Sequence, residues 1–362
     1  MNAETLAAPS QVASSTRPSQ RSEEFLETLR PYRAVVLVSH VNPDPDALAS
    51  MLGLEALLRS DRPDRPVTLT VEGMIARAEN QAMVELLDVP LVPVEQVTMG
   101  PDMAVVMVDT QPHTGRRGSE AALPTAVLDH HETPGTLEGV LFRDIRPQIG
   151  ATSTIVTGYL LERGLAVSKR LATALLYGIE SEAAGYPRES SPADDGALVW
   201  LFPRADKDLL ARIKNPRLPR SYFAVFQHAL ANAFLYPNVI VSWCGEVPQP
   251  DLVSELADFF VRFDQVDWAL TLGVFEGTLK LSLRSDHLGG HCGELLHDVV
   301  DGMGTAGGHD RRAGGAIPLG AANEADIEEL LTKLRGRFLA ELEIDEPRGR
   351  RLLDDCPVIP VP

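Results

Sequence analysis

Three short apolar, β-branched runs each end in acidic or histidine side chains: VVLVSHVNPDPDA at 35–47, VVMVD at 105–109 and AVLDHH at 126–131. Runs of this kind, separated by segments with helical periodicity, read as strands of a mostly parallel sheet joined by right-handed helical crossovers. Such a sheet gathers the residues just past its strands at one edge, however distant they are in sequence. The repetition predicts an α/β fold, its mostly parallel sheet flanked by helices, with one site assembled from three strand ends.

The alternation continues along the chain. Helices are expected over 23–29, 47–58, NQAMVELL, STIVTGYLLERG and KRLATALLYGIE, with a further strand in VTLTVEG. LVWLF, KDLLARI and YFAVFQHALANAF are apolar-periodic runs broken at Pro203, Pro216 and Pro219, which predicts a helical connector. Beyond it, VIVSWCGEV and the pair WALTLGVFEGTLKLSLRS, turning at Glu276 and Gly277, predict a smaller α/β domain with a mixed sheet. Its helices are expected at LVSELADFFVRF, CGELLHDVVDGM and EADIEELLTKLRGRFLAELE. The expected division is a flexible tail at 1–22, a first domain at 23–193, the connector at 194–237, the second domain at 238–343 and a tail at 344–362.

Composition narrows the function classes. A chain of 362 residues with 44% hydrophobic and 23% charged side chains can bury two ordinary cores. No apolar stretch approaches the roughly 18 residues that span a bilayer, and the first residues lack the pattern of a secretion signal, so a cytoplasmic protein without membrane contact is expected. Cys244, Cys292 and Cys356, odd in number and widely spaced, fit reduced thiols. With 51 acidic against 33 basic side chains the formal charge is -18, which repels a long duplex polyanion and favours a small phosphorylated ligand or bound cations.

Within SHVNPDPDALAS, His40, Asp44 and Asp46 share a strand-to-helix turn. Capping of the following helix would explain the two carboxylates equally well. A single Asp at a strand end, such as Asp109 or Asp129, commonly caps a turn as well. Five or more such groups at three strand ends, however, repel one another unless cations neutralise them. Hard divalent ions take oxygen ligands, and imidazole suits Mn²⁺ better than Mg²⁺. Two ions roughly 3.5–4 Å apart would lower the pKa of a water and stabilise charge on an attacked phosphoryl group, which is phosphate ester hydrolysis.

HVNPDPDA, VVMVD, LDHH and GATST, in this order, resemble the motif pattern of the DHH phosphoesterase superfamily, over residues 31–188. The resemblance implies that His40, Asp44 and Asp109 hold one Mn²⁺ and that Asp46, Asp109 and His130 hold another, with Asp109 bridging and Mg²⁺ or Co²⁺ as possible substitutes. It further implies that His131 faces the substrate phosphate, while Asp129 orients His130 or His131 as an acceptor rather than binding metal. ALLYGIESEAAGYPRES aligns with the fourth motif, where an Asp-Thr pair is usual and this chain has Glu182-Ala183. Three outcomes stay open: Glu182 ligates directly or through water, Glu180 replaces it, or one metal site is weakened.

TAGGHDRRAGGAIP concentrates Gly307, Gly308, His309, Arg311 and Arg312. Glycines let backbone N–H groups approach phosphate oxygens, and Arg and His add positive donors. The stretch resembles the glycine-glycine-histidine signature of the DHH-associated C-terminal domain, over 238–319, which implies that His309 contacts substrate and that Arg284 adds a phosphate contact. Only one of the adjacent Arg311 and Arg312 is expected to point inward. His287, His291, Cys292 and His297 follow no structural-zinc spacing, and HCGELLHDVV reads as a helix start.

The expected activity is hydrolysis of phosphodiester or phosphomonoester bonds in short oligonucleotides, dinucleotides or 3′-phosphoadenosine 5′-phosphate-like nucleotides. The different class is a nucleotide-binding regulatory protein whose catalysis is weakened at Glu182. Inorganic pyrophosphatase is disfavoured by the glycine-and-histidine signature. The resemblance also suggests a homodimer.

Overall fold

Six strands of the computed structural model place the three motifs side by side. The structure describes residues 21–112, 123–132, 137–183, 190–287, 289–308, 310–346 and 348–354. Most of the expected N-terminal tail therefore lies outside the described residues, and Arg21 and Ser22 already belong to the first helix. The chain divides into two units, one of residues 1–75 and 79–215, the other of 76–78 and 216–362.

In the first unit the strands are β1 (Ala34–Val38), β2 (Val67–Val71), β3 (Leu91–Pro93), β4 (Met103–Val108), β5 (Ala126–Asp129) and β6 (Phe142–Ile145). They run in the order β3-β2-β1-β4-β5-β6, every pair parallel. The order reverses between β1 and β4, whose register pairs Val36 with Val105 and Val38 with Met107. Chain connections leave β1 and β4 toward opposite sides at such a point, opening a crevice at the carboxyl ends. Val35 through Val38 are buried, as expected of a central parallel strand covered on both faces. The two strands not anticipated from sequence, β3 and β6, are short edge strands, and FRDI in β6 mixes charge with apolar residues.

The helices of this unit are α1 (Arg21–Leu29), α2 (Pro45–Asp61), α3 (Ala78–Leu86, its first residue grouped with the second unit), α4 (Thr152–Glu162), α5 (Lys169–Ala183), α6 (Pro192–Leu201) and α7 (Lys207–Lys214). Helix α2 packs against α4 and α5 at close range. A Cβ on Gly178 would lie 2.6 Å from Ser153 Oγ and 2.9 Å from Ala49 Cβ, so glycine lets α5 seat beside the start of α2. Pro45 at the first helical position and the Asp44 side chain, which accepts from Ala47 N at 3.0 Å, start α2 immediately after the first motif.

The second unit carries a mixed sheet of order β11-β12-β10-β9-β8-β7-β13. Its strands are β7 (Ala233–Tyr236), β8 (Asn238–Glu246), β9 (Val266–Phe275), β10 (Thr278–Ser285), β11 (Thr305–Gly308), β12 (Arg312–Pro318) and β13 (Arg350–Arg351). Only β8 and β9 pair in parallel. Helices α8 (Arg220–Ala231), α9 (Asp251–Phe260), α10 (Cys292–Val300) and α11 (Glu324–Glu341) cover the sheet. The β9–β10 hairpin turns at Glu276 and Gly277, both with positive φ, the conformation that matches strand twist.

Two sequence expectations give way here. YFAVFQHALANAF is not one helix: α8 stops at Ala231 and AFLY enters the sheet as β7, because it pairs with β8 through a tight turn at Pro237 and Asn238. Within the stretch expected as a tail, Arg350 and Arg351 extend the sheet beside β7. Among the described residues, no helix is long and apolar enough to cross a membrane.

Candidate metal centre

Two of the three motifs leave their strands through a residue with positive φ. After β1, Asn42 adopts φ 59° and is tied to the loop after β2: its N–H donates to Glu72 O at 2.9 Å and its Oδ1 accepts from Met74 N at 2.6 Å. After β4, Asp109 also has φ 59°, a region that Asp tolerates better than most residues but that still carries strain. Its N–H donates to Leu128 O at 2.9 Å, locking it to β5.

Asp109 stands between two imidazoles. His40 Nε2 is 3.5 Å from its Oδ2, and His130 Nε2 is 3.5 Å from its Oδ1. Asp44 Oδ2 lies 3.7 Å from His40 Nε2. Among the described residues, two groups therefore bring potential ligand atoms within 4.8 Å of one another: His40, Asp44 and Asp109, and Asp109, Asp129, His130 and His131. The shared member is Asp109, with one oxygen toward each side.

The donor set fits divalent cations. His40 Nδ1 lies 3.0 Å from Val41 O and His130 Nδ1 3.2 Å from Ile149 O. A carbonyl can only accept, so these contacts put a ring proton on Nδ1, which leaves Nε2 as the nitrogen free to bind a metal once it is deprotonated. Burial disfavours a charged His40, yet Asp109 and Asp44 outweigh it and hold its pKa well above the ordinary histidine value. Burial also pushes the Asp46 carboxyl up, and the charges of Asp109, Asp44 and Glu182 push the same way. Such crowding of acids is what bound cations relieve.

Asp46 is fully buried but belongs to neither group. Its Oδ2 accepts from Thr152 N and its Oδ1 from Ser153 N, both at 2.7 Å, and its Oδ2 is 3.9 Å from His130 Nε2. Helix α4 has Ala151 at its N-cap, which offers no side-chain cap, so the carboxylate of Asp46 satisfies the first N–H groups and meets the positive end of the helix. Thr152 Oγ1 donates to Asp109 Oδ1 at 2.9 Å. The sequence signal for Thr152 and Ser153 is a pair of hydroxyl residues opening a helix that has no cap of its own.

Asp129 Oδ1 accepts from His130 N and His131 N and lies 2.8 Å from His131 Nδ1. Gln111 Nε2 donates to His131 O at 3.0 Å, a contact no sequence pattern announced. Glu182 is half-buried in the last turn of α5, in neither group, though close enough for its charge to act on Asp46. Glu180 instead forms an ion pair with Lys214 at 2.5 Å. The side chain of Ala183 lies outside the described residues.

The second unit distributes the remaining candidates differently from a phosphate loop. Gly307 and Gly308 form the edge strand β11, paired with Gly314 and Ala313 of β12. Glycine is required there by backbone packing: a Cβ on Gly308 would lie 2.2 Å from Arg312 O, and one on Gly293 of α10 would lie 2.8 Å from Gly308 O. His309 lies outside the described residues. Arg284 is buried and committed to Asp258, Ser282 Oγ and Leu283 O. Arg311 is half-buried, 3.7 Å from Asp286, whereas Arg312 is exposed at the start of β12. Cys292 is buried, His287 is 3.2 Å from Asp267, and His287, His291, Cys292 and His297 form no ligand group among the described residues.

Residues 34–179 match the model of the DHH family, N-terminal domain. An uncharacterized protein of Methanocaldococcus jannaschii is 30% identical over 320 residues, which cover 86% of this chain and 65% of that protein. The A-adding tRNA nucleotidyltransferase of Geobacter sulfurreducens is 28% identical over 188 residues, 47% of this chain and 19% of that protein. The chain thus spans only part of the length of both curated relatives. An exopolyphosphatase-related protein from Bacteroides fragilis shares the fold, with a TM-score of 0.70 at 18% identity, over 90% of this chain and 99% of that one. Motifs, strand order and the matched region agree in making residues 34–179 similar to the DHH family, N-terminal domain.

Proposed function

We propose that the chain is a metal-dependent phosphoesterase acting on short oligonucleotides, dinucleotides or 3′-phosphoadenosine 5′-phosphate-like nucleotides. The observation that carries this reading is the placement of Asp109 between two imidazole Nε2 atoms, 3.5 Å from each, with a different carboxylate oxygen toward each ring. His40, Asp44 and Asp109 would hold one ion, and Asp109, His130 and Asp46 the other, with Mn²⁺ the favoured metal. When bound, divalent cations lower the pKa of a water and neutralise charge that develops on an attacked phosphoryl group.

The chain's own residues supply orientation. Asp109 is held by Thr152, and Asp46 by the start of α4, so neither carboxylate has to reorganise during turnover. Asp129 holds the His131 ring by Nδ1, and we assign Nε2 of that ring to a phosphate oxygen. One of the adjacent Arg311 and Arg312 in the second unit is assigned to recognition of an anionic group.

A panel of short nucleotides incubated with Mn²⁺, Mg²⁺ and Co²⁺ tests the proposal: release of mononucleotide or phosphate from at least one member is expected. Tight nucleotide binding without turnover under every metal would instead support the regulatory reading, which the Glu182-Ala183 departure favours.

A further inference from the structure

We propose that Asp194, outside every motif described above, is a positioning residue for the metal centre: it clamps the Gly150-to-Thr154 turn whose middle residues hold Asp46 and Asp109. The inference rests on the metal-dependent reading. Asp194 is fully buried, and its Oδ2 accepts from Ser191 N at 2.8 Å, Ser191 Oγ at 2.6 Å and Gly150 N at 2.9 Å. Its Oδ1 accepts from Thr154 Oγ1 at 2.5 Å.

The bonds to Ser191 are those of a capping box that starts α6, and such a box needs nothing more. The bonds to Gly150 and Thr154 reach 44 and 40 residues back in the chain, to the two flanks of one short turn. Between those flanks lie Thr152 and Ser153, whose N–H groups bind the two oxygens of Asp46, and the Thr152 hydroxyl that binds Asp109 Oδ1. The turn is held at both ends by one buried carboxylate and presents its middle to two others.

Helix α4 has no cap side chain of its own, so the placement of its first N–H groups depends on partners from elsewhere. Loosening the clamp lets those donors drift, and Asp46 and the Oδ1 side of Asp109 drift with them. The His130 side of the centre, which both carboxylates face, then binds its cation less tightly. Groups that orient ligands in this way commonly change metal affinity by about 10- to 100-fold when removed.

The test is calorimetric titration of Mn²⁺ into the metal-free full-length protein, with circular dichroism to confirm folding. Asp194→Asn and Thr154→Val are expected to weaken Mn²⁺ binding by about 10-fold, and Thr154→Ser, which keeps the hydroxyl, to restore it. Tyr159→Phe is the control, since it removes a different buried bond from α4, that of the Tyr159 hydroxyl to Asp144 Oδ2 at 2.5 Å. It should lower Tm and leave Mn²⁺ affinity unchanged. Wild-type affinity in folded Thr154→Val overturns the clamp, as does an equal loss in Tyr159→Phe, which would make the effect a general loosening of the helix. A wild-type chain that binds no Mn²⁺, Mg²⁺ or Co²⁺ overturns the metal reading itself, and the inference falls with it.

Discussion

Asp129 Oδ1 lies 2.8 Å from His131 Nδ1 and takes in the backbone N–H groups of His130 and His131 as well. One oxygen thus fixes both the chain turn and the ring. Burial alone would raise the Asp129 carboxyl, but His131 outweighs it and holds the pKa below its ordinary value. Replacement of Asp129 by Asn keeps an acceptor for the turn and removes the charge that orients the ring. Turnover on a responsive substrate should fall by about 10- to 100-fold with little change in Tm; steady-state kinetics showing an unaltered kcat would contradict the assigned role of His131.

Cations that bind only the folded chain stabilise it by mass action. Mn²⁺ at a hundred times its Kd should raise stability by about 2.7 kcal/mol, and a chelator should reverse the gain. Asp109→Asn, which weakens both sides of the centre at once, should lose most of the shift. Thermal unfolding with and without metal measures this, and an equal shift in the variant would remove Asp109 from the centre.

Glu182 stands where the family resemblance calls for Asp, and its charge already reaches Asp46. Glu182→Asp draws the carboxylate back by one methylene, a displacement on the scale to which catalytic geometry responds. A gain of about 10-fold in hydrolytic rate or Mn²⁺ affinity is expected. Values for both at or below wild type would count against a carboxylate held too far from its ideal position at Glu182.

Asp194 gives the chain a defined acid response. Burial would raise its carboxyl, but hydrogen bonds from Ser191, Thr154 and Gly150 outweigh that and depress it. A depressed carboxylate contributes stability above its unfolded pKa of about 3.9 and loses it as pH falls through the folded value. At neutral pH, Asp194→Asn should therefore be less stable by about 1.5–3 kcal/mol, and the gap should close as pH drops below about 4. Denaturant unfolding across pH measures the gap; a difference independent of pH would rule out a charge-based contribution.

Much of the first unit was legible because the strands at its centre, β1, β4 and β5, are apolar and its helices periodic. The run at 34–38 could be buried only as a central strand, and His40, Asp44, Asp109, His130 and His131 follow such strands directly. Strands β3 and β6 were not legible, since edge strands are short and need no continuous apolar run. AFLY carries the same composition in a helix or a strand, and its pairing with β8 decided the matter.

The order of apolar runs and the residue types at their ends, by themselves, established an α/β chain with a cluster of acids and imidazoles, because burial and charge repulsion act on any fold built from that pattern. Only the tertiary structure decided which atom meets which. It set Asp46 on the N–H groups of α4, Arg284 on Asp258, and Gly308 of β11 against backbone rather than in an open loop. The first two contacts join residues 106 and 26 positions apart, and their geometry depends on packing distances that no local spacing encodes.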